Sequence, residues 1–177
     1  FFLSLFTVFT TAMIYAQLKT VPSWNNILTP AIFIFAALTG GSILLTNYAC
    51  LVTLLVFGTL QILFWYIADK GFEQKKTSVG TALGFGTKEE IRSFDAPHTN
   101  RNYLLNEMVY KVGRKHSIKI RYISFFMAFV FPMSLILIFP DEFKASIFIV
   151  FLHLVGIYFS RWLFFAEAKH SVSFYYE

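Results

Sequence analysis

From Pro30 to Ala68 the chain runs for 39 residues without an Asp, Glu, Lys or Arg. Three shorter uncharged runs, Phe1 to Leu18, Tyr122 to Pro140 and Ala145 to Ser160, share its character. A helix crossing the hydrocarbon core of a bilayer needs roughly 20 mostly apolar residues, about 17–25. The long run is therefore too long for one span and right for two, with a turn at Thr46-Asn47-Tyr48. In lipid every backbone polar group must be bonded internally, which leaves helices or a closed barrel. Barrel strands alternate polar and apolar residues; Ala31-Ile32-Phe33-Ile34-Phe35-Ala36-Ala37-Leu38 does not. The expected fold is all-α: a polytopic transmembrane bundle of five helices near 1–18, 30–46, 48–68, 122–139 and 145–168. Residues 1–177 form one membrane domain with a long extramembrane loop at 69–121. The chain opens inside an apolar run with neither Met nor a basic leader, which reads as a fragment of a longer protein.

Charge supports the same division. Only 14% of residues are charged and 56% are apolar, the reverse of a disordered segment. By parity, 14 of the 15 Lys and Arg fall on one side, and Lys144 alone on the other. The positive-inside rule puts the basic side in the cytoplasm, although docking of an acidic partner would select the same charges. Within the loop, residues 102–116 place Leu104, Met108 and Val112 on one helical stripe flanked by Arg101, Lys111, Arg114, Lys115 and Lys119. That pattern predicts an amphipathic helix along the membrane surface.

The chemistry available is narrow. One cysteine, Cys50, excludes a disulfide framework and an iron–sulfur cluster held by this chain. Of four histidines only His153 lies in a span, so a bis-histidine haem is not expected. His153 reads as a hydrogen-bonded packing residue. The glycines from Gly80 to Gly86 lack the Gly-Lys-Ser/Thr ending of a phosphate loop. The pairs Ala36/Gly40, Ala37/Gly41 and Gly156/Ser160 predict close helix packing.

Arg161 stands apart, because an ionisable residue in a span is a functional-site candidate; the alternative is snorkelling to the interface. Tyr15, Trp24, Arg161, Glu167 and His170 fall near one membrane face. Together they supply a flat stacking surface, donors and a proton acceptor, the set a quinone head group requires. Interfacial anchoring is the competing reading for Tyr15 and Trp24.

Thr20-Val21-Pro22-Ser23-Trp24, then Thr29-Pro30 and Gly40-Gly41, resembles the segment joining the middle helices of the dimethyl sulfoxide reductase anchor subunit family. Gly156 and Arg161 followed by Leu163-Phe164-Phe165 resembles that family's last helix. Asp95-Ala96-Pro97-His98-Thr99, with Asn102 to Met108, is similar to a form found in some members. The resemblance covers the whole chain, as the C-terminal five of about eight helices. It implies a multi-pass subunit of the inner (cytoplasmic) membrane that oxidises menaquinol as substrate. It also implies partners: an iron–sulfur electron-transfer subunit and a molybdopterin catalytic subunit. Neither haem nor cluster in this chain, and no nucleic-acid partner, is expected. The His and Glu credited with quinol oxidation in the family precede Phe1 and map to no residue here. Where the family often has an acidic residue after the glycine, this chain has Ile157, and Glu167 lies about three turns on. The quinol-site candidates are thus Arg161, Trp24, Tyr15 and Glu167. A polysulfide or nitrite reductase-type anchor is a near neighbour. A multi-pass transporter is the alternative of another class, disfavoured because the Gly40-Gly41 pair has no matched counterpart in a second half.

Overall fold

The structure, a computed structural model, describes residues 1–45, 48–74, 84, 111–139 and 143–168. They form α1 (Phe2–Ala16), α2 (Leu28–Leu44), α3 (Ala49–Gln74), a short α4 (Lys111–Lys115), α5 (Ser117–Ile138) and α6 (Phe143–Ala166). The uncharged run from Pro30 to Ala68 divides into α2 and α3 as expected, while Thr46 and Asn47 lie outside the described residues. Three helices are long and apolar enough to cross a membrane: Ala49–Gly71, Ser117–Ile138 and Ala145–Ala166. The apolar helices α1 and α2 are shorter, at 15 and 17 residues.

Their surfaces fit lipid rather than water. Phe126, Leu137 and Phe151 are 48, 61 and 60% exposed, and soluble monomers do not display contiguous apolar area on that scale. The expected loop at 69–121 is shorter at both ends than its charges suggest. Helix α3 continues through Asp69 to Gln74 and α5 begins at Ser117, so Asp69 and Arg121 belong to the end of the bundle. Most of the expected surface helix, 102–110, lies outside the described residues. At its end, a methyl group on Gly113 would lie 3.0 Å from Ala166 Cβ and 3.1 Å from Trp162, so α4 docks on α6. Arg114 fastens it there, its Nε donating to Ala166 O at 3.0 Å and Nη2 to Ala168 O at 2.9 Å. These are carbonyls that a helix C-terminus leaves without internal partners.

Helix α2 packs on α1, α3 and α6; α5 packs along α6 and meets α3 sparingly. The α5–α6 pair is the tightest part. Pro132 has no N–H for the carbonyl four residues back, that of Ala128. The helix widens there into a π turn over Phe126–Val130, with Phe131 N–H bonded to Phe126 O. His153 Nδ1–H donates to Ala128 O at 2.7 Å, its ring fully buried with its edges to Phe57 and Phe129. The packing role expected of His153 is therefore filled by a definite bond. Gly156 permits the approach, since a Cβ there would sit 2.3 Å from Ala128 N. Ser124 Oγ donates to Gly156 O at 2.9 Å. The small-residue reading thus holds at Gly156. It fails at Gly40 and Gly41, where an added Cβ would meet nothing within 4 Å among the described residues.

His153→Leu should lower unfolding free energy by about 1–3 kcal/mol, by stranding a carbonyl in hydrocarbon. In a Pro132→Ala background, which restores an N–H four residues after Ala128, the same substitution should cost measurably less. Denaturant unfolding of the four proteins in detergent gives the coupling directly, and additive effects would refute the pairing.

Candidate functional site

The C-terminal ends of α3 and α6, the first turns of α5 and the segment entering α2 enclose a cavity of about 460 Å³. Its roof is the connection between α1 and α2. Trp24 lies flat on Phe164, with centroids 5.3 Å apart and planes 9° off parallel, and its Nε1–H donates to Phe164 O at 2.8 Å. Thr29 Oγ1 donates to Trp24 O at 2.7 Å, and Asn25 Nδ2 to Ala16 O at 2.6 Å. Asn26 Oδ1 accepts from Leu28 N–H at 3.0 Å, a side-chain acceptor for an otherwise unpaired donor at the start of α2. Pro30 falls in that first turn, where a missing N–H costs nothing. Short polar side chains between two prolines therefore hold the roof without regular structure.

Arg161 projects from α6 into this space. Its guanidinium carbon stands 4.1 Å from the centroid of Phe33 and 5.6 Å from that of Phe164, a cation over aromatic faces. Nη1 and Nη2 are buried with no hydrogen-bond partner among the described residues. Gln61 Oε1 and Ser23 Oγ, on the cavity wall, are buried and unpaired in the same way. Arg161, Gln61 and Ser23 thus bring two unpaired donors, one unpaired acceptor and one unpaired hydroxyl, all buried, to the lining of a single cavity. Snorkelling does not describe Arg161, whose head is turned into protein.

Arg121 closes the mouth. Its Nε and Nη2 donate to the two carboxylate oxygens of Glu167 at 2.8 and 2.9 Å. Nη1 and Nη2 donate to those of Asp69 at 2.7 and 2.8 Å. The guanidinium also lies over Trp65, 5.6 Å from its centroid. The Asp69 side chain is 59% exposed and that of Glu167 only 20%. Burial pushes the Glu167 carboxyl above its usual value, and the Arg121 bonds pull it part of the way back.

Of the residues singled out from sequence, Arg161, Trp24 and Glu167 line the cavity together. Tyr15 does not. It stands behind the wall, edge-on to Trp24 at 5.3 Å and stacked with Phe33 at 5.8 Å, and braces the aromatic bed under Arg161. His170 lies outside the described residues. Sequence reasoning missed Ser23, Gln61, Asp69 and Arg121. Gln61 carried a usable signal as a polar amide inside an apolar span; Arg121 was counted with the loop because it ends an uncharged run.

The fold defines a polytopic helical membrane protein with a cavity partly lined by polar residues at one end of its bundle. The family model of the DMSO reductase anchor subunit (DmsC) matches residues 1–166, and the chain belongs to that family. The family consists of membrane anchors of oxidoreductase complexes. A curated relative, a sulfite dehydrogenase subunit of Allochromatium vinosum, is 25% identical over 183 residues, covering 94% of this chain and 55% of the relative. The chain thus spans about half the length of that protein. No solved structure matches this chain.

Replacing Arg121 by Gln removes both carboxylates' partner and leaves Glu167 buried with its burial penalty unrelieved. A carboxyl held above its unfolded value adds stability below that value and loses it as pH rises through the folded one. Arg121→Gln raises the folded value further. The variant should therefore lose about 1–3 kcal/mol, more at pH 8 than at pH 5, in thermal unfolding across that range.

Proposed function

We propose that this chain anchors an oxidoreductase complex in the inner (cytoplasmic) membrane and that its cavity receives the head group of a menaquinol. The unpaired nitrogens of Arg161 and the unpaired Gln61 oxygen, from residues that line one cavity, carry this reading. A quinol presents two oxygens on opposite sides of a flat ring, each able to accept or donate. Arg161 donates to one oxygen, and Gln61 Oε1 accepts the O–H of the other. Ser23 can do either. The face of Trp24 that Phe164 does not cover is the flat surface offered to the ring. A cavity of about 460 Å³ falls within the roughly 300–1,000 Å³ typical of small-molecule sites.

Oxidation of a quinol to the quinone releases two electrons and two protons. The electrons pass to an iron–sulfur subunit, which serves a molybdopterin catalytic subunit of dimethyl sulfoxide reductase type. The protons pass to the carboxylates at the mouth. Glu167, with its raised pKa, is suited to take a proton, and the exposed Asp69 to hand one to water. The family name speaks of a reductase and the relative's name of a dehydrogenase, which would drive electrons in opposite directions. The Arg161 contact serves quinone and quinol alike, whereas the Gln61 Oε1 contact needs the O–H of the quinol and so favours the reduced form.

Losing a charge-assisted hydrogen bond costs about 1.5–3 kcal/mol, or roughly ten- to a hundredfold in affinity. Arg161→Ala in the full-length complex should raise the quinol dissociation constant by that factor, with the subunits remaining associated on gel filtration. Unchanged quinol binding and turnover would remove the head group from this cavity.

A further inference from the structure

A second cavity, of about 400 Å³, lies between α3 and α5, deeper in the membrane. Gly58 and Ile62 form one wall and Phe125, Phe129 and Met133 the other. Two hydroxyls border it, and both are satisfied within their own helices. Thr59 Oγ1 donates to Val56 O at 2.8 Å, and Ser134 Oγ to Phe131 O at 2.9 Å. Nothing in the groove therefore calls for a hydrogen bond, and its occupant is hydrocarbon.

The groove and the head-group cavity are separate spaces that lie along the same pair of helices. On α3, Leu54, Gly58, Ile62, Trp65 and Asp69 recur at steps of three or four and form one helical stripe. The first three line the groove and the last two line the cavity. On α5, Arg121 lines the cavity, while Phe125, Phe129 and Met133, at steps of four, line the groove. The two spaces are thus about one turn apart, some 6 Å. Gly58 lines the seam opposite two rings: a Cβ there would make ordinary contact with Phe129 at 3.4 Å and Phe125 at 3.8 Å, so only a longer side chain would fill the groove.

We propose that this groove holds the isoprenoid tail of the quinol, so that the α3–α5 seam selects a tailed quinol, head in the cavity and tail toward the membrane interior. The inference rests on the head-group reading above. A phospholipid, with a phosphate on Arg161 and an acyl chain in the groove, fits less well. A phosphate diester has no proton to offer Gln61 Oε1, and it would face Asp69 and Glu167 at the mouth. The quinol hydroxyl supplies that proton.

A tail entering the groove leaves lipid rather than water, so it gains packing and no hydrophobic burial. The expected effect is accordingly modest. The test uses the assembled complex in nanodiscs and two probes, a polyprenylated 1,4-naphthoquinol and the same head group without a tail. Gly58→Leu, which fills the groove, should weaken the tailed probe by about three- to tenfold and leave the tail-less one unchanged. Arg161→Ala should weaken both. Should Gly58→Leu not assemble, Ile62→Trp narrows the groove from its half-exposed outer wall. Equal effects of the groove variants on both probes, or none on either, would overturn the tail site and leave the head-group site standing. So would loss of a co-purifying phospholipid from Gly58→Leu with affinity for the tailed probe intact. If neither probe binds the unaltered complex, the head-group reading fails and the tail site with it.

Discussion

A proline in the middle of a membrane span creates a demand that water cannot meet. Pro132 leaves the Ala128 carbonyl without its donor in the helical ladder, and in hydrocarbon an unsatisfied carbonyl is costly. His153 meets that demand from α6. It can reach only because Gly156, one turn on, lets the two backbones come together. Ser124 then returns a hydrogen bond to Gly156 O, so the α5–α6 contact is held at two levels. Residues after Gly156 inherit their placement from this contact. Arg161 and Phe164, five and eight residues on, emerge against Phe33 of α2 and under Trp24. The cavity at the end of the bundle is in this sense a consequence of register set in its middle.

The hydrocarbon core is also why so much of the fold was legible in the sequence. A span has a minimum length and excludes charge, so the uncharged runs located α2, α3, α5 and α6 almost directly. Parity then placed Trp24, Arg161 and Glu167 at one end, and the structure brings these three to one cavity. Where the reading went astray, it treated charge as a boundary. Arg121 and Asp69 were assigned to the loop, yet Arg121 pairs with both Asp69 and Glu167 at the end of the bundle. Periodicity within one helix carries no information about which residue of another helix supplies the counter-charge. Small residues misled for a related reason. Gly156 and Gly40 look alike in sequence, but of the two only Gly156 has a backbone pressed against it among the described residues.

Seen as electrostatics, the two arginines at this end of the bundle divide the work between them. Arg121 takes both carboxylates, each in a two-point bond, and is neutralised in place. Glu167 is therefore not available to compensate Arg161. Arg161 is left buried against aromatic faces, its Nη1 and Nη2 without a hydrogen-bond partner among the described residues. Burying a cation without a hydrogen-bond partner costs several kcal/mol, and a cation–π contact returns about 0.5–2. A pairing with Glu167, only six residues along the chain, would have removed most of that cost. The fold commits Glu167 to Arg121 instead and keeps the guanidinium nitrogens of Arg161 open. On the proposal made above, a ligand oxygen that accepts from these two nitrogens is what offsets that cost. An anion would satisfy the charge but would meet the carboxylates at the mouth and leave Gln61 Oε1 unpaired. A neutral molecule that accepts at one end and donates at the other would satisfy both unpaired groups at once, and that complementarity is the ground on which a quinol is proposed.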